Sequence, residues 1–258
     1  MKRTLRLTVA VATILLLAAC GGGTTETKTE APAAAPPASA PPVDAASAAT
    51  ITGKVAFSGT KPVARAISMD ATPACARQHS TAPKSEEVVV NGNGTLRNVF
   101  VWVKSGLPDR QWPTPAEAVK LDQHTCIYQP HVIGVMTNQN IEIFNSDPTN
   151  HNIHPLPKVN REWNESQAPG SEKKTKSFPR EEVMIAVKCN IHPWMRSYIG
   201  VVNHPYFSVT ADDGTYTLKG LPPGDYTIEA WHEKYGTQEQ KITVGAKESK
   251  TADFDFKS

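Results

Sequence analysis

The chain has 258 residues, room for one large domain or two small ones. Lys and Arg (27) nearly balance Asp and Glu (25), for a net charge of +2, and no basic stripe occurs, which argues against nucleic acid as a partner. With 21 Pro, 16 Gly and short β-branched runs, the composition suits an all-β fold with many turns better than a helical bundle.

Lys2, Arg3 and Arg6 precede an apolar run, Leu7 to Leu17, of secretory length and too short to span a bilayer comfortably. The run ends in Leu17-Ala18-Ala19-Cys20, which resembles a bacterial lipobox. That resemblance implies a signal peptide over 1–19, a lipidated Cys20 and a membrane anchor. The expected location is the periplasmic face of a bacterial membrane, the outer membrane in a Gram-negative cell. Residues 20–50 are Gly-, Thr- and then Ala/Pro-rich and read as an extended tether rather than a core.

Strand signals begin at Ile51, where Ile51, Val55 and Phe57 alternate up to Ser58-Gly59. Val88 to Val90, the turn Asn91-Gly92-Asn93-Gly94 and Leu96 to Lys104 read as a hairpin. Pro115 to Leu121 is the one plausible short helix, and Ile141 to Asn145 a short strand. Val183, Ile185, Val187 and Cys189 share one face of another strand, with Met184, Ala186 and Lys188 opposite. Tyr198 to Val202 follows. Beyond His204-Pro205 come five further strand-like runs: 207–210, 215–218, 226–231, 241–244 and 251–256. Asp212-Asp213-Gly214-Thr215-Tyr216 and Leu221-Pro222-Pro223-Gly224-Asp225-Tyr226 resemble the carboxypeptidase regulatory-like module, a small prealbumin-like β-sandwich. Its usual opening strand is similar to Gly53 to Gly59, far upstream, so 51–59 belongs either to that sandwich or to the domain before it.

The chemistry concentrates in Cys189-Asn190-Ile191-His192-Pro193-Trp194-Met195. Thiolate, imidazole and thioether at successive spacings of three can converge on one ion from a loop that follows a strand. Soft sulfur with imidazole selects copper, and the thioether favours copper over zinc. A second histidine must come from elsewhere. Asn150-His151-Asn152-Ile153-His154 offers one, 38 residues before Cys189 and just after a strand.

The Cys-x₂-His-Pro-aromatic-Met-Arg run, with Ile141 to His154 upstream, resembles the cupredoxin family in its plastocyanin- and amicyanin-like members. The resemblance covers about 138–203 and departs from the family's usual Pro at Asn150 and Ile191. It implies a Greek-key β-sandwich holding one type 1 (blue) copper through His151, Cys189, His192 and Met195. It further implies that Asn145 ties the two ligand loops together. His154 and the remaining histidines read as non-ligands. With Cys20 given to lipid and Cys189 to metal, Cys75 and Cys126 remain as the disulfide pair in an oxidising compartment.

The expected layout is a copper domain over 51–203 and a regulatory-like sandwich over 204–258. The expected function is transfer of single electrons between redox partners, such as a c-type cytochrome or a dehydrogenase, without enzymatic activity. The His192 ring edge is expected at the surface, with Pro193 and Trp194 as the docking patch. The alternatives are a copper carrier or storage lipoprotein, against which the scarcity of Met (five) speaks, and a glycan- or protein-binding sandwich with a structural metal. Trp231 is the only candidate aromatic platform for the latter.

Overall fold

A computed structural model of the chain describes residues 44–258. The signal peptide 1–19, Cys20 and most of the tether lie outside the described residues. In chain order the elements are β1 (Ala49–Ser58), α1 (Pro73–Ala76), β2 (Phe100–Ser105), β3 (Val119–His124), β4 (Ile127–Gln129) and β5 (Val132–Met136). Then follow β6 (Ile141–Asn145), β7 (His151–Leu156), β8 (Glu165–Gln167), β9 (Lys174–Lys176), β10 (Glu182–Lys188) and β11 (Arg196–Val202). The last are β12 (Phe207–Val209), β13 (Thr215–Leu221), β14 (Gly224–His232), β15 (Gly236–Val244), β16 (Ser249–Thr251) and β17 (Phe254–Lys257). The fold is all-β, as the composition and turn density indicate.

The strands form four sheets, ordered β13-β1-β16 with β17 also on β1, then β12-β2-β14-β15, β5-β11-β10-β7-β8 and β4-β3-β6-β9. Three apolar layers lie between them. Ile51, Val101, Leu218, Ile228 and Phe254 fill the space between the first and second sheets. Phe100, Trp102, Val132 and Val202 fill that between the second and third. Leu121, Tyr128, Ile143, Ile153, Ile185 and Ile199 fill that between the third and fourth. Each pair of facing sheets removes apolar surface from water, the main driving force of such a stack.

The sheets do not divide at residue 203. β1 pairs with β13, β16 and β17, and β2 pairs with β12 and β14. Two upstream strands therefore complete the C-terminal sandwich, and a second sandwich over 119–202 follows them in the chain. β2 explains why. Its run Phe100-Val101-Trp102-Val103 is buried on both faces, with Val101 and Val103 in one layer and Phe100 and Trp102 in the next. A strand buried on both sides reads as a continuous apolar run and gives no hint of its sheet.

Three local expectations change. Pro115 to Leu121 is not a helix: Leu121 and Gln123 point inward from β3, which runs parallel to β6. Val88 to Val90 forms only an isolated bridge at Val90–Leu96. In β10 a register shift between Glu182 and Ile185 resets the alternation, so Val183 packs with Met184 toward the second sheet instead of sharing the Ile185 face.

Candidate metal centre

β10 carries Ile185 and Val187 into the core and delivers Cys189 just beyond its end, 2% exposed. The loop after it is closed by two backbone hydrogen bonds: Met195 N donates to His192 O (3.0 Å) and Cys189 N to Met195 O (3.2 Å). The His192 backbone N–H also donates to Cys189 Sγ at 3.4 Å. This brings Cys189, His192 and Met195 together at the top of the sandwich, all buried.

His151 opens β7, which pairs with β10 through His154–Lys188. Its ring is fully buried. His151 Nδ1 lies 2.9 Å from His192 Nδ1, and Cys189 Sγ lies 3.8 Å from His192 Nδ1. Two ring nitrogens and one thiol thus converge within 4.8 Å of one another. Met195 stands on the same closed loop. His154 turns away, with Nδ1 3.1 Å from Asn190 Oδ1 and Nε2 2.6 Å from Glu162 Oε1.

Several supporting groups carry no sequence expectation. His151 Nε2 donates to Asp147 Oδ2 at 2.7 Å. The same carboxylate accepts the backbone N–H groups of Thr125 (2.6 Å) and Cys126 (2.7 Å). Fixing the proton on Nε2 leaves the Nδ1 lone pair aimed at the centre. The tie between the two ligand loops is Asn152: its Oδ1 accepts the Asn190 N–H at 2.7 Å and lies 3.3 Å from Cys189 Sγ. Asn145 instead braces its own loop by donating to Thr149 O and ties that loop to β8 by donating to Gln167 O. Tyr128 O–H reaches the carbonyls of Asn152 (2.5 Å) and Lys188 (3.1 Å), pinning β7 to β10 beneath these side chains. The sequence signal for Asp147 is faint: an acid four residues before a histidine in a polar loop.

Electrostatics prepare the ligand forms. Burial pushes the Cys189 thiol up, but hydrogen bonding with His151 and from backbone N–H groups overrides it and holds the thiol below its usual value. Burial, then the neighbouring His151, pulls His192 down to about 4. Burial also acts downward on His151, but Asp147 and Cys189 raise it on balance, so a proton on the histidine pair sits on His151. For Asp147, burial acts upward and is outweighed by the His151, Cys126 and Thr125 hydrogen bonds, leaving its carboxyl below the usual range. The lowered thiol and the neutral His192 ring are the forms a metal takes, whereas a metal would have to displace the proton that His151 holds.

The surface expectation for His192 does not hold. The ring is 1% exposed. Cys75 and Cys126 form a disulfide, and Cys75 Sγ lies 3.6 Å from His192 Nε2. A cap running from Arg65 to Ser85 carries Cys75 on the one-turn α1, closes on itself through Ala66 and Lys84, and is fastened by His79 Nε2 to Thr125 O (2.8 Å). Pro193 is exposed, but Trp194 is half-buried and donates Nε1 to Cys126 O at 3.0 Å. Trp231 packs on Tyr198 at 4.9 Å, inside the seam between the sandwiches.

Structural comparison finds copper proteins at low similarity. The chain aligns with a copper-containing nitrite reductase from Thermus scotoductus SA-01 (16% identity, TM-score 0.31), covering 38% of this chain and 25% of the reductase, so it spans about a quarter of that protein's length. A purple cupredoxin from Nitrosopumilus maritimus aligns at 17% identity and TM-score 0.28, over 32% of this chain and 98% of the cupredoxin. A reduced amicyanin variant aligns at 18% identity and TM-score 0.30, over 39% of this chain and 97% of its own. No curated protein matches in sequence. Residues 200–257 match the carboxypeptidase regulatory-like domain, a range that takes in β12 to β17 and lacks β1 and β2, the two strands that complete its sheets here.

Proposed function

We propose that the chain holds one copper ion in a type 1 site made by His151, Cys189, His192 and Met195, and passes single electrons while tethered by Cys20 to the extracytoplasmic side of a bacterial membrane. The observation that carries this reading is the convergence of two Nδ1 atoms and the Cys189 sulfur in a buried pocket closed by the Met195 loop. Two imidazoles, a thiolate and a thioether fit copper better than zinc or a hard cation. Bound copper would supply a one-electron couple. The protein's part is to hold the ligands still. Asp147 fixes the tautomer of His151, Asn152 and Tyr128 lock β7 to β10, and the two backbone hydrogen bonds close the loop. Ligands so held move little between oxidation states, which keeps reorganisation small. A sealed site suits electron exchange better than delivery of the ion. The partner is a redox protein, a c-type cytochrome or a dehydrogenase.

Cu(II) added to the purified protein should give an intense thiolate-to-copper band in the visible, lost in Cys189→Ser. A protein that takes up Zn(II) yet never develops the band would overturn the proposal.

A further inference from the structure

An electron leaving through the ring edge of His192 meets the buried disulfide and α1 before it meets solvent. The Cys189 side is different. Cys189 is buried, but Lys188 and Asn190 on either side of it are exposed. The backbone from Val187 to Asn190 floors a groove walled by Leu156, Pro193, Arg196 and Tyr198. The groove is open because the second sheet packs on the β5–β11 half of the third sheet's outer face, through Phe100, Phe207 and Val132, and leaves Leu156 and Lys188 exposed and Ala186 half-buried.

Two features of this groove make no sense as folding devices. Lys188 and Arg196 are directly opposite one another in the antiparallel β10–β11 ladder, where like charges cost stability. Among the described residues neither has an ion-pair partner. In addition, the apolar side chains of Leu156 (39% exposed) at the groove wall and Ile191 (51%) at the tip of the ligand loop face water. Paired unneutralised cations beside exposed aliphatic groups, one peptide unit from a metal ligand, call for an anionic partner.

Resting on the copper reading above, we infer that this groove is the docking surface for the redox partner, and that the partner is a protein presenting carboxylates around its own exposed redox centre. One electron crosses, oxidising the donor centre and reducing the acceptor by the same one, with no bond made and no proton moved. The capped His192 edge is not the contact.

Hexacyanochromate(III), an inert paramagnetic trianion, tests this on the ¹⁵N-labelled full chain, both metal-free and loaded with Cu(I). Line broadening should centre on residues 186–191 and 196–198. It should vanish in the Lys188→Glu, Arg196→Glu double variant and persist in Lys219→Glu, a strand lysine of β13. In parallel, oxidation of the Cu(I) protein by hexacyanoferrate(III) at low salt should slow roughly tenfold in the double variant, with the visible band intact. Broadening spread evenly over the surface, or centred on the cap near Arg65 and Lys84, would overturn the inference. So would the same resonances broadened by anionic phospholipid vesicles but not by the complex, which would assign the groove to a lipid surface. A visible band without localised broadening removes the docking surface and leaves the copper site standing. Localised broadening without a band does the reverse.

Discussion

Asp147 decides which nitrogen of His151 is available. Its carboxylate accepts a hydrogen bond from the His151 Nε2–H at 2.7 Å and holds two backbone N–H groups of the Thr125–Cys126 turn. Asp147→Asn keeps the shape but removes the charge, and the new amide can present N–H where the carboxylate accepted. Second-sphere partners of ligand histidines commonly govern metal affinity by roughly 10- to 100-fold. The variant should therefore bind copper 10- to 100-fold more weakly in competition with a chromophoric chelator, while a visible band still forms at saturation. Unchanged affinity would mean that the ring is held by packing alone. That Cys189, His192 and Met195 come together was legible in the sequence because they lie on one short loop whose spacing is itself the signal. Asp147 and Asn152 were not, because a supporting side chain is defined by its partner in space and leaves no spacing rule.

At the scale of elements the cap shows the same limit. The stretch from Arg65 to Ser85 has no amphipathic period, and its one-turn helix has no side-chain cap. Its place is fixed by the disulfide, by the Ala66–Lys84 bridge and by His79, all of them contacts distant in sequence. The cysteine pair could be read by elimination, but not its position over His192. Replacing Cys75 and Cys126 by Ala releases a loop with a sequence separation of 51. Chain entropy alone then predicts a loss of about 4 kcal/mol in denaturant unfolding. Chelators should also strip copper faster, since α1 no longer seals the ring; an unchanged stripping rate would show that the cap holds without its disulfide. β6, by contrast, was legible to the residue, because its alternation faces a single core.

The seam between the sandwiches is a second element-scale case. Gly134 and Gly200 are partners in the parallel β5–β11 pair, and Phe100 and Phe207 stack at 5.8 Å over them. A Cβ on Gly200 would lie 2.6 Å from Phe100 Cζ and 2.9 Å from Met184 Sδ. Gly200→Ala should cost about 1–3 kcal/mol by overpacking. Adding Phe100→Leu should recover part of that loss. If the double variant is no more stable than the single one in urea, the clash lies elsewhere than the ring.

Over the whole molecule, buried histidines set the response to acid. His204 and His232 are 4% and 1% exposed, and burial pulls each down to about 4, with His131 adding to the effect on His232. Their hydrogen bonds suit the neutral ring. His204 donates Nε2 to Val103 O (2.9 Å) while its Nδ1 accepts the Tyr206 N–H (3.2 Å), and His232 Nδ1 accepts the Lys234 N–H (3.0 Å). A proton on either Nδ1 has to displace a donor. The unfolded chain takes up these protons near pH 6.5, whereas the folded chain resists until about pH 4, so the unfolded state binds more protons across that window and stability falls as pH drops through it. At pH 4.5 the loss is roughly 2 kcal/mol per histidine relative to pH 7. In the metal-free protein His151 runs the other way, since its raised value gives stability present below pH 6.5 and lost as pH rises through the folded value. Carboxyls held low, such as Asp147 and Glu182, begin to lose their contribution only below about pH 4. Urea unfolding of the metal-free protein should therefore show a steep decline between pH 6.5 and 4.5. The decline should become shallower by roughly 2 kcal/mol in His204→Gln and again in the double variant with His232→Gln. Because both histidines belong to the C-terminal sandwich and the four sheets share apolar layers, the decline should appear as one transition seen alike by fluorescence and by far-ultraviolet dichroism. Two separated transitions would show that the sandwich of 119–202 keeps its fold without its neighbour, and a flat profile to pH 4.5 would show that the buried rings are hydrated enough to take their protons freely.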